Sequence, residues 1–230
     1  MGHISTRDHG NGVTVLAADR PPANAMDLAL LDEIVAAVQR FAGDPPRALV
    51  LAGRPGFFSA GVDLKLAPTY RPEDRRRMVA AINAMALGVY ELPCPVVGAI
   101  TGHAVGGGLV LALCTDLRVA ASAGRYGLTE VQVGVGYPQA AIGVVRAELA
   151  PHAARRLVLG SELLSASDCL HLGVFDELAE PNDVLPRALE LATSLAAFPP
   201  EVYARTKREL RAATAAGLRA AASKDPLLEI

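Results

Sequence analysis

Residues 100–120 read ITGHAVGGGLVLALCTDLRVA. A strand-like apolar run leads into three consecutive glycines (Gly106, Gly107 and Gly108), then a short apolar helix, then a second strand-like run at 117–120. Residues 53–64, GRPGFFSAGVDL, follow the apolar run ALVLA (48–52) in the same manner. Strand, glycine turn, helix, strand is the signature of βαβ units. Their parallel strands are buried on both faces, so they read as continuous apolar runs. Small residues in the turns let a ligand approach the backbone. Unpaired N–H groups at a helix start favour negative charge. Two such loops meeting at one point would form an oxyanion hole. Taken alone, the glycine cluster reads equally well as tight strand–helix packing.

Working outward, residues 13–17 form another strand-like run, ended by Pro21 and Pro22. Leu31, Ile34, Val35, Val38 and Phe41 recur at helical spacing, with Asp27 as a plausible N-cap. Met78, Ala81, Ile82, Met85 and Val89 repeat that pattern until Pro93 and Pro95 break it. From Pro151 onward the signals are helical, over 153–159, 165–172, 186–197 and 200–222, with Ser165 as an N-cap. These elements predict an α/β core over 1–195 and a helical region over 196–230, whose alanine-rich helices could pack on the core or on a neighbouring subunit.

The 230 residues are 51% hydrophobic and carry a net charge of −2. Mean hydropathy is +0.29, which fits large buried surfaces. Aromatic residues make up 4% of the chain, too few for base-stacking platforms, and there is no basic stripe. Nucleic-acid binding is therefore not expected. The arginine runs 75–77 and 155–156 read as solvated helix faces. Cys94, Cys114 and Cys169 match no metal or CxxC pattern and read as buried, reduced thiols. No segment has the apolar length of a membrane span, and the N-terminus lacks an apolar signal region. The expectation is a cytoplasmic protein.

Ser59 lacks the flanking glycines of a nucleophile elbow, and no dinucleotide or P-loop fingerprint is present. Glu130 sits in the otherwise apolar segment YGLTEVQVGVGYP (126–138). A desolvated carboxylate there would have a raised pKa suited to acid–base work; an exposed turn glutamate is the plain alternative. His103 reads as a packed or surface residue. Asp63 and Lys65 either meet a ligand or cap the loop. Asp116 and Arg118 are expected to pair near the sheet.

Four pieces in this order and spacing carry a family likeness: RPPANAM (20–26), PGFFSAGVDL (55–64), GHAVGGGLVLALCTDLRVA (102–120) and YGLTEVQVGVGYP (126–138). Together the chain resembles the crotonase superfamily of enoyl-CoA hydratases and isomerases. The resemblance implies a ClpP/crotonase-like α/β spiral of ββα units as the catalytic core over 1–195, with C-terminal helices over 196–230 mediating a homotrimer or a dimer of trimers. It implies an acyl-CoA thioester substrate and no metal or redox cofactor, coenzyme A being part of the substrate. It places oxyanion donors at the N–H groups of Ala60 and Gly107, and the catalytic carboxylate at Glu130. It places the CoA and substrate lining at Ala23, Ala25, Ser59, Gly61, Val62, Asp63 and Gly106. It implies an acyl pocket at Phe58, Val110, Tyr137 and Pro138.

Hydratases of this family usually carry two glutamates, and Val110 occupies the position of one of them. Dienoyl-CoA isomerases place an aspartate where Pro138 stands. The likeness is greatest to single-glutamate Δ3,Δ2-enoyl-CoA isomerases, which shift a 3-enoyl-CoA double bond to 2-trans-enoyl-CoA. The alternatives are an enoyl-CoA hydratase, a non-catalytic acyl-CoA-binding protein, and a thioesterase or decarboxylase on the same fold.

Overall fold

The computed structural model describes residues 2–229. Through the middle of the chain the strands come in pairs, the first of each joining a large sheet and the second a small one. The large sheet contains β1 (Ile4–Gly10), β2 (Val13–Ala18), β3 (Ala48–Ala52), β5 (Val96–Ile100), β7 (Leu117–Ala121) and β10 (Glu177–Ala179), in that order. β2, β3, β5, β7 and β10 run parallel, and β1 closes the edge as an antiparallel hairpin with β2. The small sheet is β4 (Gly56–Ser59), β6 (Gly102–Val105), β8 (Arg125–Gly127) and β9 (Leu164–Ser165).

Both faces of the sheet's inner strands are covered, which is why β2, β3, β5 and β7 are largely apolar. Alternate residues of β3 separate cleanly. Leu49 and Leu51 enter the main core with α1 (Leu28–Gly43), α2 (Pro72–Tyr90), α3 (Gly107–Leu113) and α4 (Gln139–Glu148). Ala48, Val50 and Ala52 face the opposite way, toward α7 (Val184–Ala196). That helix presents Val184, Ala188, Ala192 and Ala196 at four-residue spacing, a small-residue stripe that lies close on the strands. The expected boundary at 195/196 thus falls at the end of a helix that covers the sheet.

The remaining helices are α5 (Pro151–Ala154), which continues as a π-helical turn over Arg155–Leu159, α6 (Ala166–His171) and α8 (Pro200–Ala222). α8 packs on α4 and α2, and a 3₁₀ turn, Pro226–Leu228, follows it against α2. Asp27 caps α1 by accepting from Leu30 N–H, and Ser165 caps α6 by accepting from Asp168 N–H. All three cysteines are buried and unpaired, and burial pushes their thiols up, to about 11 for Cys94 and about 12 for Cys114 and Cys169. Among the described residues, no helix is long and apolar enough to cross a membrane.

One expected contact is corrected. Asp116 and Arg118 do not pair. Asp116 turns to α8, meeting Lys207 at 2.7 Å and Arg211 at 3.1 Å. Arg118 turns to Glu148 at 3.5 Å, and its N–H donates to Asp176 at 2.7 Å.

Candidate active site

The glycine loops meet because β4 and β6 are neighbours, so the turns that follow them emerge side by side. Gly61 has φ +78, and a Cβ there would lie 2.7 Å from Val105 O and 2.9 Å from Gly107 N. Only glycine permits both that backbone conformation and that approach.

The first loop is fastened from below. Ser59 Oγ donates to Asn24 O at 2.7 Å and accepts from Gly61 N–H at 3.1 Å. Met26 N–H donates to Gly61 O at 2.7 Å, and Asp63 N–H to Met26 O at 2.9 Å. Arg20 clips the outside, donating to Ala25 O at 2.9 Å and pairing with Asp63 and Asp27 at 3.0 Å each. Burial pushes the Asp63 carboxyl up, but hydrogen bonds from Lys65 N–H, Arg20 and Leu66 N–H outweigh it and hold the group below 3.8.

This network corrects three expectations. Ala60 N–H donates to Ala23 O at 2.9 Å, so it does not face the cavity as a free donor. The next outward-facing amide is that of Val62, which has no partner among the described residues. Val62 lines the cavity beside Gly107, whose N–H is likewise unpaired; a Cβ on Gly107 would lie 3.9 Å from Val62 N. Ser59 is buried and spends its hydroxyl on the loop, so it does not reach a ligand. Phe58 is 3% exposed and packs in the main core with Leu16, Met26 and Leu30, away from the cavity. Ala23 and Ala25 are half-buried, and each carbonyl already accepts one hydrogen bond from the loop or its clip.

The cavity has a volume of about 310 Å³. Its walls are Val62 and Leu64 from the first loop, Met78, Val79 and Ile82 from α2, Gly107 and Val110 from α3, and Ala141 from α4. Tyr137, Pro138 and Leu227 complete the apolar side. Glu130 is the one carboxylate on these walls among the described residues, and Arg75 is the one formal cation. Gly106, at φ +55, lets the glutamate in: a Cβ there would come within 3.0 Å of Glu130 Oε1. Tyr137 Oη donates to Glu130 Oε2 at 2.7 Å. Burial raises the Glu130 pKa above 4.5, and the Tyr137 hydrogen bond opposes the rise. His103 lies apart, tilted against Phe57 at 4.8 Å and accepting from Arg125 N–H at 3.1 Å.

A half-buried carboxylate and two unpaired backbone donors lining one apolar cavity suit proton abstraction next to a carbonyl. The family model for enoyl-CoA hydratase/isomerase matches residues 8–226. The chain belongs to that family. The family's probable enoyl-CoA hydratase EchA17 of Mycobacterium tuberculosis is 31% identical over 205 residues, covering 89% of this chain and 78% of that protein. Human mitochondrial enoyl-CoA delta isomerase 1 is 31% identical over 215 residues, covering 92% and 71%. The crystal structure of human mitochondrial delta3-delta2-enoyl-CoA isomerase superposes with a TM-score of 0.91 at 28% identity, covering 99% of this chain and 89% of that one. The crotonase-like fold expected from the family likeness is therefore present. Members named for hydration and members named for isomerisation lie at similar distance.

Two features of the site escaped sequence reading. The Arg20 clip joins residues from the RPPANAM segment to the SAGVDL loop, and only the charge types hinted at it. The Tyr137–Glu130 hydrogen bond spans a seven-residue separation across an irregular turn, where no helical or strand period relates the two positions.

Proposed function

We propose that this enzyme-family member isomerises 3-enoyl-CoA to 2-trans-enoyl-CoA through one glutamate. The observation that carries the reading is that Glu130 is the one carboxylate on the cavity wall among the described residues, while Val110 lines that wall at the position where the family likeness puts a hydratase's second glutamate. Glu130 takes the C2 proton. The negative charge spreads into the thioester oxygen, which rests on the N–H groups of Val62 and Gly107. Each such donor contributes about 3 kcal/mol to stabilising an oxyanion. Protonated Glu130 then delivers the proton at C4, and the double bond moves into conjugation. Coenzyme A enters as part of the substrate, its pantetheine end leaving past the first loop near Ala23, Ala25 and Asp63.

Hydration of a 2-enoyl-CoA is the second reading, favoured by the likeness to EchA17. Purified protein given 3-hexenoyl-CoA and crotonyl-CoA separates the two. Fast appearance of conjugated-enoyl absorbance with little hydration is expected. Fast hydration of crotonyl-CoA would replace isomerisation by the hydratase reading. Glu130→Gln is expected to lower kcat by at least roughly 10²-fold.

A homotrimer, or a dimer of trimers, is part of this proposal. The mass of the assembly by light scattering tests it.

A further inference from the structure

The carboxylate on the cavity wall has two unequal oxygens. Oε2 accepts from Tyr137 Oη at 2.7 Å. Oε1 lies against Gly106, the residue before the unpaired Gly107 amide. The turn between them is exposed, and its backbone is tied to Glu130 itself: Val135 N–H donates to Glu130 O at 2.9 Å. The backbone that follows Tyr137 is anchored at the start of α4. Gln139 N–H donates to Asp225 Oδ2 at 2.7 Å, and Ala140 N–H to Asn83 Oδ1 at 2.8 Å. Asn83 Nδ2 closes the knot on Asp225 at 2.8 Å. α2, α4 and the C-terminal segment thus converge one residue beyond Pro138.

We propose that Tyr137 is a positioning residue that occupies Oε2 and leaves Oε1 as the single proton-carrying oxygen of Glu130. The proposal rests on the reading of Glu130 as the base. In that reaction the C2–H bond breaks as an O–H bond forms. The same O–H then breaks as the C4–H bond forms, so the glutamate ends as it began. One oxygen must reach two carbons in turn. A carboxylate free to rotate would present either oxygen and spend time misaligned; a hydrogen bond on Oε2 fixes its plane.

Few other charges face Glu130. Arg75 of α2 is on the cavity wall, but its guanidinium donates to Pro68 O and Tyr70 O at 3.0 Å each. α3 offers Gly107 and Val110, α4 offers Ala141, and the C-terminal segment offers Leu227. Asp225 lies behind Gln139, held by Asn83. The Tyr137 hydroxyl is therefore the one side-chain donor to this carboxylate among the described residues, beside the backbone amide of Glu130 itself.

Tyr137→Phe keeps the ring and removes the hydroxyl. Two readouts test it: the pH dependence of kcat/KM for 3-hexenoyl-CoA, and the titration of the Glu130 carboxyl by NMR in protein labelled with 13C-glutamate, its resonance assigned by Glu130→Gln. Both midpoints are expected to move up by about one unit, the size of a hydrogen bond to a charged group. On the plateau kcat is expected to fall roughly ten-fold, with KM little changed. Unmoved midpoints with Glu130→Gln inactive would overturn the positioning role and leave the base assignment standing. Full activity of Glu130→Gln would overturn the base assignment and this proposal with it.

Discussion

An ionised Glu130 works against the fold that holds it. Burial raises its pKa in the folded chain above the 4.5 of a free side chain. A folded pKa above the unfolded one means that the stabilising contribution is complete below about pH 4.5 and is lost as pH rises through the folded midpoint. Glu130→Gln removes the charge and keeps an acceptor for Tyr137. It is expected to raise the melting temperature near pH 8, with the gain closing below pH 4.5. A gain of equal size at both pH values would assign the effect to packing. Glu130 stood out in sequence as a carboxylate inside an apolar segment, but that alone did not separate it from an exposed turn glutamate; the family likeness did. Its companion donor was not legible. Ala60 and Val62 are two residues apart in one loop, and which amide is free depends on Ala60 pairing with Ala23, across a long stretch of chain. The phenyl ring of Phe58 shows the same problem. Consecutive strand residues face opposite ways, so Phe57 and Phe58 cannot be sorted without knowing which face of β4 meets the core.

β2, β3, β5 and β7 were readable because burial on both faces makes them largely apolar; β10, a half-buried three-residue strand at the sheet's edge, falls in a stretch that read as helical. β4, β6 and β8 were not readable: each has three or four residues and contains glycine, so no period can establish itself. β1 is an exposed edge strand of largely polar residues and reads as a loop. Yet the small sheet is what brings the two glycine turns together. Gly61→Ala tests that arrangement, since its Cβ would collide with Val105 O and the residue would hold φ +78. A fall in kcat/KM of roughly 100-fold is expected, because ångström-scale displacement of a donor has that effect. A fall below ten-fold would show that the loops need not approach so closely. The start of α4 gives a second test at this scale. Asp225→Ala leaves Gln139 N–H and the Asn83 amide without their acceptor. That is expected to cost about 1–3 kcal/mol in urea unfolding.

Across the whole molecule, the C-terminal helices do two jobs that composition alone could not separate. α7 seals the second face of the large sheet with alanines, while α8 is tied to the sheet's end by charge. The ties join residues remote in sequence, which is why Asp116 was matched to its neighbour Arg118 when its partner Lys207 lies 91 residues away. Asp116 also accepts from Val96 N–H at 2.8 Å and faces Arg211, whose guanidinium stacks on Tyr90 at 3.9 Å. Lys207 is 8% exposed; burial pulls its ammonium below 10.5, and Asp116 opposes that pull. The pair is therefore a conditional source of stability: favourable when complete, damaging when halved. Asp116→Ala leaves a buried ammonium with the carbonyl of Cys94 at 3.0 Å as its remaining contact. It is expected to destabilise the chain by about 3–5 kcal/mol in chemical denaturation near neutral pH. Lys207→Met removes the buried cation and leaves Asp116 paired with Arg211, so it is expected to cost well under half as much. Equal losses from the two variants would mean that α8 is held by packing on α4 and α2 rather than by these charges.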